Sequence, residues 1–468
     1  MLQITFYGGA SGVTGSKHLL AAGEKRILFD CGTFQGLPDM RERNRSLPFP
    51  PESIDFVLLS HAHIDHCGML PLLVKRGFQG KIISTPATQE VAQQMLADAA
   101  AIEIQDALYR RRHHQGAPDD REPLFTPEDI APTIERFVTV PYSRVRNAWH
   151  ELSDNMRVKF YDAGHILGSA ITVLQVDVAG QTRQLAYTGD LGSPGMPLLY
   201  DPEVPAENIE AILVESTYGA RHHESSAAAL ARLAEVITRV NERGGKIIVP
   251  AFSLGRTQLF VYLLHKLTDE KKIPRLPIYV DSPLAARITD VFERYKEDYD
   301  GETWRDFQGE DHTPLAFRNL TYIRSIEESK QLNTTPGPFI VIAASGMMTA
   351  GRVVHHLRHT ISDPRNAIFI TGYQARGTLG RRLLEGAAHV ELYGESFVPR
   401  AEIHLFNEFS AHADQSQLME YLAAVPGLQR VVLIHGEPEQ ADVLRAELTA
   451  RHPDWQVERP EEGETITL

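Results

Sequence analysis

Cysteine is nearly absent. Of 468 residues only Cys31 and Cys67 are cysteines, and neither has a CxxC partner. Two isolated thiols cannot build a disulfide framework, so both are expected free, in a reducing compartment. Long apolar runs are missing too, and no stretch suffices to span a bilayer; no membrane association is expected. Residues 2–7 read as a strand, without the basic n-region and apolar core of an export signal, and a cytoplasmic location is the expectation. Positive charge is in deficit: 47 Lys and Arg against 61 Asp and Glu give −14. That excludes a wholly basic nucleic-acid coat, though not a locally basic groove to which bound cations contribute. Repeats and low-complexity segments are lacking as well. What remains is an ordinary globular composition, 43% hydrophobic and 23% charged, at a length that suits two or three domains.

Histidine, by contrast, is concentrated. The segment Ser60-His61-Ala62-His63-Ile64-Asp65-His66-Cys67-Gly68 puts three imidazoles and a carboxylate into six positions, after the apolar run 54–59. The run reads as a buried strand, with the cluster on the loop at its carboxyl end. Imidazole nitrogen and carboxylate oxygen are preferred ligands of Zn²⁺. His61 and His63, two apart, can face one ion, while Asp65 and His66 turn away and can start a second. Further candidates end predicted strands: Asp30 after 27–29, His165 within 162–169, Asp190 after 187–189, and His435 after 433–434. A two-metal site takes about three protein ligands per ion, a bridging carboxylate and a bridging water. On that count His61, His63 and His165 hold one Zn²⁺, Asp65, His66 and His435 hold the other, and Asp190 bridges them. Asp30 then serves as an acceptor that orients a ligand histidine.

Up to about residue 200, short apolar runs alternate with turns. Strands are expected at 25–29, 56–59, 81–84, 156–161, 170–178 and 184–188, and helices at 88–112 and 127–136. From 211 the rhythm becomes strand then helix. Buried strands at 246–249, 277–280, 338–344 and 367–371 are separated by helices at 225–243, 255–267 and 284–299. This predicts βα units around a largely parallel sheet. A strand at 430–434 and a helix at 438–451 follow, and 301–313 reads as a surface loop.

His61-x-His63-x-Asp65-His66, His165 and Asp190 resemble the metal motifs of the metallo-β-lactamase superfamily. The resemblance implies an αββα sandwich with its metals at one sheet edge. Di-iron members usually carry Glu in place of His63, which disfavours a redox role. The chain is still more similar to one subfamily, the β-CASP nucleases. Glu215 in Val214-Glu215-Ser216-Thr217, His412 in Ser410-Ala411-His412-Ala413-Asp414, and His435 in His435-Gly436-Glu437 match its three further motifs. The stretches Pro250-Ala251-Phe252-Ser253-Leu254-Gly255-Arg256-Thr257-Gln258, Asp281-Ser282-Pro283, Ala344-Ser345-Gly346-Met347 and Gly372-Tyr373-Gln374 also fit, so the similarity covers nearly the whole chain. It implies a metallo-β-lactamase domain in two parts, 1–219 and 400–468, with a β-CASP α/β domain inserted at 220–399.

A histidine at the position of His435 marks the RNA-cutting members, such as the pre-mRNA 3′-end endonuclease and its bacterial and archaeal relatives. The resemblance therefore implies a zinc-dependent endoribonuclease acting on single-stranded RNA, with additional 5′–3′ exonuclease action left open. A water between the cations is deprotonated near neutral pH and attacks phosphorus, with Asp65 and Asp30 in the catalytic constellation. His412, oriented by Glu215, protonates the leaving 3′-oxygen, which gives 5′-phosphate and 3′-hydroxyl products. The inserted domain is expected to grip neighbouring nucleotides, with Ser345 and Gly346 taking a phosphate, Tyr373 stacking on a base, and Gln374 beside them. The chain ends at Leu468, short of the extra domain of ribonuclease J, and a monomer and a homodimer both stay open. Two other classes compete. A thioester or lactone hydrolase explains the metals but not Glu215, His412 or the insertion; a scaffolding pseudo-nuclease would have lost ligands. Gly8 to Ser16 reads as a tight turn bordering the site, 110–114 as a solvated helix end, and His355, His356 and His359 as surface or capping residues.

Overall fold

The computed structural model describes residues 2–36, 40–113, 122–178, 180–223, 226–307, 313–372, 374 and 377–468. The chain forms two compact units. One comprises Met1–Pro194, Asp201–His222 and His412–Leu468, the other Gly195–Tyr200 and His223–Ala411.

In the first unit β1 (Leu2–Phe6), β2 (His18–Ala22), β3 (Lys25–Phe29), β4 (Phe56–Leu58), β5 (Lys81–Ser84) and β6 (Phe137–Thr139) share a sheet. β7 (His150–Ser153), β8 (Met156–Asp162), β9 (Ala170–Val178), β10 (Gln181–Tyr187) and β11 (Ala211–Glu215) belong to another. The second unit contributes β12 (Lys246–Pro250), β13 (Ile278–Asp281), β14 (Leu320–Tyr322), β15 (Phe339–Ala343), β16 (Ala367–Ile370), the hairpin β17 (Val390–Leu392) and β18 (Glu395–Phe397), and β19 (Glu402–Leu405). The chain then returns to the first unit with β20 (Arg430–Ile434), β21 (Gln456–Glu458) and β22 (Thr465–Thr467).

The orders β22-β1-β2-β3-β4-β5-β6 and β21-β20-β11-β10-β9-β8-β7 define a two-sheet sandwich. Alternation decides what fills it. Leu2, Ile4, Phe6, Ile27 and Phe29 of the first sheet meet Val158, Phe160, Leu174, Leu185, Leu213 and Val432 of the second. Each such side chain contributes about 1.5–3 kcal/mol on burial. The opposite face of the second sheet (Val173, Ile212, Leu433) packs on Leu418 and Leu422 of the helix Gln415–Ala424 and Leu444 and Leu448 of the helix Pro438–Arg451. The result is the αββα sandwich that the resemblance implied. β3, β4 and β5 run parallel, as do β10, β11 and β20, so their carboxyl ends share one edge of each sheet.

The second unit is a six-stranded sheet of order β14-β13-β15-β12-β16-β19 with every pairing parallel. This matches the βα rhythm read from 211 onward. Several details differ. β10 begins at Gln181, because its antiparallel ladder with β9 continues to the turn, where Gln181 faces Val178. Residues 301–306 form a helix, not a loop, because the Asp300 carboxylate caps it by accepting from the Thr303 amide at 2.6 Å; residues 308–312 lie outside the described residues. His356 is buried, not a surface residue, and its Nε2 donates to Asp281 at 2.7 Å. Ser329 Oγ and Arg352 Nη1 complete that carboxylate's partners, each at 2.5 Å.

Candidate metal centre and active site

Residues at the carboxyl ends of β3, β4, β10, β11 and β20, with the loop after β8, converge on one edge of the sandwich. Asp30 follows β3, and His61 to His66 follow β4 into the short helix Ile64–Cys67. His165 lies beyond β8, Asp190 beyond β10, Glu215 ends β11 and His435 follows β20. The crowding needs glycine at particular points. A Cβ on Gly32 would lie 1.6 Å from the Asp65 carbonyl oxygen, and one on Gly192 would lie 2.0 Å from that of Gly164. The turn expected at 8–16 does border the site: Ser16 donates its amide to Asp65 O at 2.9 Å, and Gly9 O accepts from the His435 amide at 2.6 Å.

The metal candidates gather into two groups on either side of Asp190. His61, His63, His165 and Asp190 each offer a ligand atom, all within 4.8 Å of one another, and so do Asp65, His66 and His435. His61 Nε2 and His165 Nε2 each lie 3.4 Å from Asp190 Oδ2, and 3.1 and 3.3 Å from His63 Nδ1. On the other side, His66 Nε2 is 3.3 Å and His435 Nδ1 3.2 Å from Asp190 Oδ1. His435 Nε2 lies 3.2 Å from His66 Nε2 and 3.7 Å from Asp65 Oδ2. One carboxylate thus turns an oxygen toward each group.

The hydrogen bonds around this cluster decide which nitrogens point inward. Asp30 is buried; its Oδ1 accepts from the Ser60 amide at 2.7 Å. Its Oδ2 accepts from Ser60 Oγ at 2.7 Å, His66 Nδ1 at 2.6 Å and Tyr187 Oη at 2.5 Å. A carboxylate only accepts, so His66 carries its proton on Nδ1. Ser60 spends its single proton on Asp30 and therefore accepts from His61 Nδ1, 2.9 Å away. Both histidines thus spend Nδ1 on these outer partners and turn Nε2 toward the cluster, the nitrogen left to ligate a metal. Burial alone would raise the Asp30 carboxyl, but the hydrogen bond from His66 takes it below its usual range.

A divalent metal fits these residues. Asp190 Oδ1 is buried yet accepts no hydrogen bond, an expensive state for a carboxylate oxygen unless a cation balances it. Imidazole nitrogens converge around it at separations that a cation between them would bridge. Burial would raise the Asp190 carboxyl, but His435, His66 and His61 hold it well below the usual carboxylate range.

Beside the first group, His412 Nδ1 lies 3.0 Å from both oxygens of the buried Glu215, whose Oε1 also accepts from the Leu191 amide at 2.6 Å. The His412 ring centroid is 4.6 Å from that of His165. Asp190, Glu215 and His412 also offer atoms within 4.8 Å of one another, so His412 stands next to the metal candidates.

The remaining candidates lie in the second unit. Ser345 follows β15, and its Oγ accepts from the Thr349 amide at 3.2 Å. Gly346 is buried, and its carbonyl accepts from Gln374 Nε2 at 3.2 Å. Gln374 therefore fastens the Gly346 loop from within. Tyr373 lies outside the described residues. Sequence reasoning missed Ser60 and Tyr187 as partners of Asp30. Ser60 adjoins a motif that announces it; Tyr187 comes from the other sheet, and no local pattern could have linked the two.

The sequence profile of the metallo-beta-lactamase superfamily matches residues 14–239, that of the Beta-Casp domain residues 257–383, and that of the Zn-dependent metallo-hydrolase RNA specificity domain residues 400–460. "Ribonuclease TTHA0252" of Thermus thermophilus is 36% identical over 463 residues, 99% of each chain. The chain belongs to the β-CASP branch of the metallo-β-lactamase superfamily. "Transcription termination factor FttA" of Pyrococcus horikoshii is 30% identical over 94% of this chain and 67% of its own length. "Cleavage and polyadenylation specificity factor 73" of Drosophila melanogaster is 29% identical over 96% and 62%. A crystal structure of a protein of unknown function from Enterococcus faecalis superposes over both full chains with a TM-score of 0.54 at 16% identity, a likeness of fold alone. Members of the superfamily depend on metal, and the β-CASP fold gives the two units of the chain a common family. Among the described residues, no helix is long and apolar enough to cross a membrane.

Proposed function

We propose that this chain, a metal-dependent β-CASP ribonuclease of RNA processing, hydrolyses single-stranded RNA at a two-zinc centre to 5′-phosphate and 3′-hydroxyl products. His61, His63 and His165 hold one Zn²⁺, Asp65, His66 and His435 the other, and Asp190 spans both. The pair, when bound, supplies charge neutralisation at the scissile phosphate and a water acidified toward neutral pH. Asp30 keeps His66 and, through Ser60, His61 in the ligating tautomer. His412 gives its Nε2 proton to the leaving 3′-oxygen, while Glu215, bonded to Nδ1, aims the ring and stabilises the imidazolium. The segment 220–399 grips the flanking RNA, with a phosphate at Ser345 and Gly346; a homodimer is compatible with this reading. The observation that carries the proposal is Asp190, one carboxylate turned toward two histidine groups with a buried oxygen that accepts no hydrogen bond.

The test pairs elemental analysis with digestion of matched, end-labelled RNA and DNA. About two Zn²⁺ per chain and cleavage of RNA in preference to DNA are expected. Protein free of transition metal that still cuts RNA would sink the mechanism, and equal rates on both nucleic acids would return the chain to a general phosphodiesterase.

A further inference from the structure

Phe252 stands out among the side chains that the reaction does not use. It follows β12 at the carboxyl edge of the parallel sheet in the second unit, and 41% of it is exposed, although it is a large apolar residue. Single exposed apolar residues are common and mean little in themselves. Here two features add meaning. The loop is locked: the Phe252 carbonyl accepts from the Thr257 amide at 3.3 Å and from Thr257 Oγ1 at 2.7 Å, and Gln258 Nε2 donates to Ser253 O at 3.2 Å. The ring is also backed. A Cβ built on Gly346 would lie 3.0, 3.1 and 3.3 Å from Cε2, Cδ2 and Cζ of Phe252. Three adjacent ring carbons at nearly equal distance put that position over the face of the ring, not beyond its edge. One face of Phe252 therefore lies over Gly346, where an added Cβ would push the ring back by a few tenths of an ångström.

A fixed aromatic ring with one face backed by main chain suits a flat, apolar-faced ligand, since stacking then requires little ordering of the protein. Its surroundings select among such ligands. The carboxyl ends of β13 and β15 lie on the same edge and lead to Ser282 and Ser345, and Ser253 Oγ is 3.0 Å from Ser282 Oγ. Ser345 leaves a small, half-buried hydroxyl side chain on this edge, which is compatible with the sugar–phosphate part of a nucleotide.

We propose that Phe252 is a stacking platform for one nucleobase of bound single-stranded RNA, with Gly346 as the backing that holds the ring flat. The inference rests on the reading of the chain as a ribonuclease and names where that reading grips a base. Any base can stack on such a ring, so the platform holds the strand without selecting a sequence.

The test measures binding of a fluorescent single-stranded RNA, with phosphorothioate linkages to slow cleavage, by the full chain. Phe252→Leu keeps bulk against Gly346 but loses the aromatic face, and Phe252→Tyr keeps the face. Phe252→Leu should weaken binding roughly 5- to 150-fold, and Phe252→Tyr should bind as the wild type does. In a set of RNAs lacking one base each, a single position should reproduce that loss in the wild type and add nothing further in Phe252→Leu. Equal binding by Phe252→Leu and wild type, or a loss that adds in full to every abasic position, would overturn the platform while leaving the ribonuclease reading intact. Wild-type protein with no affinity for any RNA would overturn both.

Discussion

Asp30→Asn changes one atom of the side chain and tests the tautomer argument at its root. The backbone is spared: Asp30 has φ 58°, a left-handed conformation that Asn tolerates about as well as Asp. The carboxylate accepts four hydrogen bonds, three on Oδ2 and one on Oδ1. An amide has one acceptor atom and one donor group. With its oxygen in the place of Oδ2, its NH₂ opposes the Ser60 amide; with the reverse orientation it opposes Ser60 Oγ, His66 Nδ1 and Tyr187 Oη together. The first is less costly and still leaves two buried donors, the Ser60 amide and the new NH₂, without an acceptor, at about 1–3 kcal/mol each. Bonds that were charge-assisted become neutral, so the total loss should reach roughly 2–5 kcal/mol in denaturant unfolding of chelated protein. His66 is no longer held to its Nδ1–H form by a negative charge, and zinc affinity in chelator competition should fall about 10- to 100-fold. Tyr187→Phe is the graded control, since it removes one donor of four while keeping the ring against Phe29 and His18. It should cost about 1 kcal/mol and less metal affinity. An Asn variant that keeps wild-type stability and zinc affinity would refute the claim that Asp30 sets the histidine tautomers.

His412→Ala should retain both metals by elemental analysis and lose two or more orders of magnitude in the single-turnover cleavage rate, the usual scale for a missing proton donor; wild-type cleavage would assign the proton to another group. Zinc affinity should also depend on pH. Burial would lower the His66 pKa, but the negative charges of Asp190 and Asp30 and the hydrogen bond to Asp30 raise it well above 6.5 in metal-free protein. This raised value stabilises metal-free protein below about pH 6.5, and the gain is lost as pH rises through the folded-state pKa. Zinc must displace the proton, so apparent affinity should climb as pH rises from 6.5 and level off above the raised pKa. Calorimetry in buffers of different ionisation enthalpy should register the released proton, and titrations without proton release would refute this assignment.

The residues of the candidate metal site were legible because they are close in sequence or sit directly after apolar runs. His61, His63, Asp65 and His66 span six residues, and Asp30, Asp190 and His435 each end a stretch that hydrophobicity alone marks as a strand. The parallel sheet of the second unit was legible for the same reason, since β12, β13, β15 and β16 are buried on both faces and read as unbroken apolar runs. Strands of three to five residues such as β2, β6, β14 and β19 did not stand out, because so short a segment carries no period to detect. His356 went unrecognised for a different reason. Its partner Asp281 lies 75 residues away, and only the βα crossovers bring the end of β13 against the helix Arg352–Thr360.

The strain at the site shows the same division between local and distant causes. Asp30 and His435 both occupy left-handed backbone, at φ 58° and 47°, directly after parallel strands. A sequence signals this poorly, because either residue is at home in an extended loop. In each case contacts from elsewhere hold the conformation: the Asp30 amide donates to Leu58 O at 3.1 Å, and the His435 amide to Gly9 O at 2.6 Å. Thr217 Oγ1 adds a bond to His435 O at 2.9 Å. Such conformations cost of order 1–3 kcal/mol each and persist only where the surroundings over-determine them. Both turn a strand-end side chain out of the alternating pleat and into the cluster, where an ordinary β conformation would have carried it along the strand. The candidate metal centre is thus assembled from motifs that the sequence displays, and aimed by a backbone that the packed sandwich imposes.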